Sequence, residues 1–151
     1  RPRSRYAVLE LEACAHRVLY LVEPAPVGAV ALGTAIDYVD SIGMAAIEEH
    51  EQMLLRAATE RLEQIEGLRI YGNAEHKCPL VSFTVEGTHP YDVGMILDKL
   101  GIALRTGHHC AQPIMQHFGI EGTLRASFAL YNTTQEIDAL VAGIQRVKQL
   151  F

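Results

Sequence analysis

The nine residues Arg105-Thr106-Gly107-His108-His109-Cys110-Ala111-Gln112-Pro113 bring a guanidinium, two imidazoles and a thiol together. The nucleophilic form of cysteine is the thiolate, and nearby cationic groups such as Arg105, His108 and His109 favour it over the thiol. Gly107 before the group and Pro113 after it mark a loop between a strand and a short helix, so the thiol is expected at an exposed tip. A free cysteine is more commonly a small, inert, buried hydrophobe. The setting of Cys110 favours a functional thiol instead, whereas Cys14 and Cys78 lie in less specific surroundings and read as structural. Imidazole and thiolate are also the ligands zinc prefers, but a structural zinc site takes four protein ligands and no second pair with ligand spacing is nearby. No metal is expected, and His117 reads as a solvated helix residue.

Arg125 is the second residue of interest. In Leu124-Arg125-Ala126-Ser127-Phe128-Ala129-Leu130 the large apolar side chains fall on one strand face and Arg125 with Ser127 on the other. A strand-borne arginine is a planar fork for a carboxylate. From the strand pattern alone, a solvent-facing arginine or a structural ion pair is the commoner case. Arg105 carries the same ambiguity.

Positioning these residues falls to a mixture of helices and strands. Residues 1–25 are hard to assign: Tyr6 to Leu11 suits a strand or a helical turn, and Glu23-Pro24-Ala25-Pro26 breaks any regular element. From Val27 the spacing predicts a helix up to Gly43. A second follows, with Ile47, Leu54, Ala58, Leu62 and Ile65 on one face and Gly67 as its stop. Leu68 to Tyr71 and Leu80 to Val85 read as strands, and His89-Pro90 opens a helix that Gly101 ends. Ile102 to Arg105 is expected as a third strand, Pro113 to Phe118 as a short helix and Thr123 to Leu130 as a fourth strand. Thr133 and Glu136 have capping-box spacing for a last helix with Ile137, Leu140, Val141, Ile144 and Val147 on its apolar stripe. This order predicts an α+β fold, a small sheet covered by helices. It does not determine the strand order.

Composition narrows the class of partner. A chain of 151 residues suits one core, and 49% hydrophobic with 21% charged residues is globular. No apolar run approaches the ~20 residues of a membrane span. A net charge of −5 without a basic run gives no footprint for nucleic acid or an anionic membrane. Three cysteines without Cys-x-x-Cys spacing argue against a disulfide framework and suit a reducing compartment, expected to be the cytoplasm. Arg1, Arg3 and Arg5 mixed with Glu10 and Glu12 do not read as a secretory signal.

The Arg105 to Pro113 string resembles the cysteine loop of the group II cysteine desulfurases, the SufS-like branch that includes selenocysteine lyases. Ala29 to Val39, Tyr91-Asp92-Val93-Gly94, Arg125-Ala126-Ser127 and Tyr131-Asn132-Thr133 resemble the same family's C-terminal region, in the same order. The resemblance covers residues 26–151 and implies the small C-terminal domain of a fold-type I pyridoxal-phosphate enzyme. Residues 1–25 do not match, which suggests a truncated, rearranged or mis-started product.

The resemblance implies that Cys110 takes sulfur from L-cysteine as a persulfide, with release of alanine, for iron–sulfur cluster assembly. It implies Arg125 as the substrate-carboxylate arginine, with Arg105, His108 and His109 as supporting loop residues. Family members are homodimers that pass sulfur to an acceptor of the SufE or SufU kind. The family's lysine-bearing domain is absent, and only Lys77, Lys99 and Lys148 occur. No cofactor-binding residue is therefore assigned, and the chain alone is expected to be inactive. A sulfur-carrier or docking module without catalysis, and a selenocysteine lyase acting on L-selenocysteine, are the alternatives.

Overall fold

The computed structural model describes residues 7–13, 16–22, 26–72, 74 and 76–151. It divides into two units, Arg1–Met44 and Ala45–Phe151. In the first, β1 (Ala7–Ala13) and β2 (His16–Val22) pair antiparallel, with Ala7 opposite Val22 and Ala13 opposite His16. The ambiguity over Tyr6 to Leu11 thus resolves to a strand from Ala7 onward, in keeping with the two-residue alternation of Leu9 and Leu11 with Glu10 and Glu12. Tyr6 and Cys14 lie outside the described residues. The second strand adds a regular element to the segment that is hard to assign from sequence, and its Val18-Leu19-Tyr20-Leu21-Val22 run is rich in residues that suit a strand. Helix α1 (Pro26–Ile42) starts on a proline and is followed by Gly43, whose φ of 90° suits glycine.

The second unit contains α2 (Met44–Glu63) from Ala45 onward, β3 (Leu68–Tyr71), β4 (Leu80–Val85), α3 (Pro90–Lys99), β5 (Arg105–Gly107), α4 (Gln112–Phe118), β6 (Thr123–Ser127) and α5 (Thr134–Lys148). The four later strands form one antiparallel sheet in the order β3-β4-β6-β5. With helices accompanying this small sheet, the fold is α+β, as the element pattern predicts.

Two strand boundaries differ from expectation. The third expected strand, Ile102 to Arg105, pairs only from Arg105, and β5 runs on to Gly107. Ile102 and Leu104 are apolar because they pack against the core, not because they join the ladder. Strand β6 likewise ends at Ser127 rather than Leu130. Beyond it, the Phe128 N–H donates to Pro79 O at 2.8 Å and the Ala129 N–H to Asn132 Oδ1 at 2.8 Å, so the chain turns toward α5.

Alternation along β4 and β6 gives the sheet two unlike faces. Val81, Phe83 and Val85 with Leu124 and Ala126 point to one side, where Leu54, Leu55, Ala58 and Leu62 of α2, Val93 and Leu97 of α3, and Ile137, Leu140, Ile144 and Val147 of α5 complete a single core. Each large side chain fully buried there contributes about 1.5–3 kcal/mol. Helix α5 is held at its start by the Thr133 N–H, which donates to Glu136 Oε2 at 2.7 Å. That bond, with a second from the Asn132 amide, holds the Glu136 carboxyl below its ordinary pKa. The other face of the sheet carries Leu80, Ser82, Thr123 and Arg125, and against it lies α4.

Candidate functional site

Between this second face and α4 is a cavity of about 450 Å³. Leu80, Ser82, Thr123 and Arg125 line it from the sheet, Ile114, Met115 and Phe118 from α4, and His109 and Ala111 from the loop between β5 and α4. Tyr71 of β3 closes one side, its ring meeting Phe118 edge-on at 5.2 Å between centroids. Helix α4 keeps its position through its ends. Pro113 sits in its first turn, and Gly119, at φ 65°, lets the Ile120 N–H reach back to Met115 O at 3.0 Å.

The loop carries most of the expected site residues. Four residues, His108 to Ala111, separate β5 from α4. Two of them, His109 at φ 53° and Cys110 at φ 58°, are in the left-handed region, where a non-glycine residue costs on the order of 1–3 kcal/mol. Local bonds keep the turn closed. The Ala111 N–H donates to His108 O at 2.8 Å, and the Cys110 N–H to His108 Nδ1 at 3.1 Å. The His109 ring turns inward, its Nε2 lying 3.0 Å from Thr123 Oγ1 and 3.2 Å from Thr123 O. Because the carbonyl can only accept, Nε2 carries the proton that it shares with Thr123.

His109 has its pKa lowered from the ordinary 6.5, chiefly by burial, opposed by the bond to Thr123 and reinforced by Arg125, Arg105 and His108. A neutral ring with its proton on Nε2 leaves Nδ1 as an acceptor, and that atom is buried without a partner among the described residues. Cys110 is exposed, and its two sequence neighbours both line the cavity. Among the described residues its thiol makes no hydrogen bond to a neighbouring ring. His108 receives the backbone N–H of Cys110, and His109 grips the next strand.

The two arginines meet across the sheet. Arg105 pairs with Arg125 in the β5–β6 register, and Arg125 stands opposite Ser82 on its other side. Like charges directly opposite on adjacent strands are destabilising unless an anion joins them. Arg125 is half-buried in the cavity wall and its Nε is buried without a partner among the described residues, while Arg105 is exposed.

Sequence reasoning missed Thr123, Gly107 and Gly122 as site residues. A Cβ on Gly122 would lie 2.9 Å from the Gly107 carbonyl carbon, so these two segments touch through backbone alone. In the sequence Gly107 signals only a turn, and Thr123 at the head of its strand carries no signal of its own. Cys78, for which a structural role is expected, is exposed, and His117 is exposed as expected. Among the described residues no three His, Cys, Asp or Glu side chains converge as a metal-binding group.

Residues 22–140 match the aminotransferase class-V family. The chain belongs to that family. Within it, the chain is 49% identical over 127 residues to a cysteine desulfurase of Serratia proteamaculans, covering 84% of this chain and 31% of that protein. It is 47% identical over 128 residues to a probable cysteine desulfurase of Halalkalibacterium halodurans, covering 85% and 31%. Among solved structures, the apo cysteine desulfurase of Thermococcus onnurineus NA1 superposes with a TM-score of 0.80 at 35% identity, over 95% of this chain and 38% of that one. The cysteine desulfurase CsdA of Escherichia coli gives 0.79 at 30% identity, over 95% and 37%. The class-V chain thus spans about a third of the length of the curated relatives it matches.

Class-V aminotransferases generally use pyridoxal phosphate, held as a Schiff base by a lysine. The lysines here do not supply one. Lys77 Nζ donates to Gly72 O at 3.1 Å, Lys148 is bound to Glu66 O, Lys99 is exposed on α3, and none lines the cavity. None of the three lysines thus stands in the cavity, whereas Arg125 there fits a carboxylate.

Proposed function

We propose that these residues are the small C-terminal domain, residues 26–151, of a SufS-like cysteine desulfurase. Cys110 receives the sulfur of L-cysteine and Arg125 holds the carboxylate of that substrate. The observation that carries this reading is the pairing of an exposed thiol, presented by a left-handed turn, with a half-buried arginine whose Nε has no partner in the adjoining cavity.

The chemistry suits each group. A guanidinium fork takes a carboxylate through two parallel N–H donors, and the opposed Arg105 adds positive charge to the same strand pair. Orienting the substrate from its carboxylate leaves its sulfur to be directed toward the loop. In the overall exchange the substrate sulfur joins Cys110 as a persulfide, a hydrogen takes its place on the carbon chain, and alanine leaves. Breaking that carbon–sulfur bond needs an electron sink, which Cys110 and Arg125 do not supply. The persulfide then passes to an acceptor of the SufE or SufU kind, toward iron–sulfur assembly, in a dimeric enzyme of the cytoplasm. The exposed Cys78 and Cys110 thiols suit a reducing compartment.

Two measurements test this. Incubated with pyridoxal phosphate and L-cysteine, the 151-residue chain is expected to yield no alanine; turnover that depends on Cys110 would overturn the assignment to an incomplete site. Offered a small persulfide donor, the chain is expected to gain one sulfur atom at Cys110, located by peptide mass spectrometry, and Cys110→Ala to gain none. A wild-type chain that stays unmodified at Cys110 would sink its role as acceptor and leave a docking module.

A further inference from the structure

We propose that His109 is the positioning residue for the Cys110 thiol: its ring, anchored to Thr123 through Nε2, keeps His109 and Cys110 in left-handed backbone conformations that turn the thiol outward. This deepens the reading of Cys110 as the sulfur-accepting residue and rests on it.

Three observations carry the inference. The first is the backbone. Two successive residues with φ of 53° and 58° are histidine and cysteine, neither of which favours that region as glycine does. Something outside the turn must hold them there. The second is the anchor itself. His109 Nε2 reaches Thr123 at 3.0 Å to the hydroxyl and 3.2 Å to the carbonyl, across fourteen residues of sequence, and among the described residues Thr123 is the one buried polar side chain, on the cavity face of the sheet. The loop is thereby attached to the first residue of β6, two residues before Arg125.

The third observation is what surrounds the anchor. Gly107 and Gly122 close the approach of the same two segments, so the backbone cannot slide to compensate for a lost ring. His108 cannot substitute, because its Nδ1 already takes the Cys110 N–H and its side chain is exposed. The bonds within the turn, from Ala111 N–H and Cys110 N–H to His108, fix its shape but not its attachment to the sheet. Attachment falls to His109. Among the described residues the ring bonds Thr123 and makes no hydrogen bond to the Cys110 thiol, which separates its role from that of Cys110.

The test reads conformation and reactivity together in the 151-residue chain. Carbon chemical shifts of residues 109 and 110 report left-handed backbone directly. The alkylation rate of Cys110 by iodoacetamide, divided by that of the exposed Cys78 in the same sample, cancels any general loosening. His109→Ala is expected to lose the left-handed shifts and to lower the rate ratio roughly tenfold, the population loss that matches one unfavourable left-handed residue. His109→Asn, whose side chain tolerates that region, is expected to recover part of both.

Thr123→Val keeps the carbonyl partner and removes the hydroxyl. It is expected to give a smaller change in the same direction, and it stands in for His109→Ala should that variant not fold. Wild-type shifts and an unchanged ratio in these variants would overturn the proposal. So would equal changes at Cys110 and Cys78, which would make His109 a general stabiliser. A chain in which Cys110 accepts no sulfur, yet whose ratio responds to His109 as stated, would overturn the functional reading and leave the positioning intact.

Discussion

The two faces of the four-stranded sheet follow opposite rules. On the face toward α2, α3 and α5, Phe83, Leu124, Val81 and their partners are wholly buried, and the core is apolar throughout. On the face toward α4, among the described residues, two arginines oppose each other, two buried nitrogens lack partners, and two non-glycine residues sit in left-handed backbone. One face is minimised for free energy. The other retains local costs that a folded domain tolerates only where the arrangement serves something besides folding. Stability and reactivity should accordingly respond to different substitutions.

The largest expected effect is on the core face. Phe83→Ala should cost about 3–5 kcal/mol, read as a lower urea midpoint, because the side chain is wholly buried in the apolar core and its loss leaves a cavity there. Cys110→Ala should change that midpoint by less than about 0.5 kcal/mol while abolishing sulfur acceptance. If both variants destabilise alike, the division between the faces fails.

Next comes the seam between loop and sheet. Gly122→Ala introduces a Cβ at 2.9 Å from the Gly107 backbone and should cost about 1–3 kcal/mol, with the β5–β6 amides exchanging faster in hydrogen exchange. An unperturbed midpoint would mean that the seam yields freely. Arg125→Leu should act in the opposite direction, raising stability by up to about 1 kcal/mol, since it removes a buried unpartnered donor and the like charge facing Arg105. A loss of stability instead would show that Arg125 is structural.

The smallest effect is on pH dependence. His109 has a folded pKa below its ordinary 6.5, so the unfolded chain binds the proton more readily. Its contribution is present above 6.5 and is lost as pH falls through the lowered folded value. The charged groups nearby, Arg125, Arg105 and His108, all act in that direction. Urea midpoints at about pH 7 and about pH 5 should therefore differ less in His109→Gln than in the wild type. An equal difference would remove His109 from the account.

Much of the core face was legible in the sequence, and less of the site face. The alternation around Arg125, the apolar stripe of α5 and the pairing of Thr133 with Glu136 each follow from a period or a spacing that local physics enforces. So do the loop at Cys110 and its exposure. Strand β5 was misplaced because the apolar residues Ile102 and Leu104 report packing under α3 and α5, whereas edge pairing begins with the polar Arg105. The anchor from His109 to Thr123 had no sequence signal. A hydrogen bond across fourteen residues depends on which strand lies beside β5, and the strand order β3-β4-β6-β5 is not encoded in any period.

The shortness of the loop sets how far its thiol can travel. Cys110 is two residues from Gln112, the first residue of α4, so with that helix fixed its Cα stays within about 7.6 Å of the Gln112 Cα, two virtual bonds of ~3.8 Å. That is a short tether rather than a swinging arm. Any molecule that exchanges an atom with Cys110 has to bring its own reacting group into that small sphere, so the shape of the visitor, more than the excursion of the loop, decides what can meet the thiol.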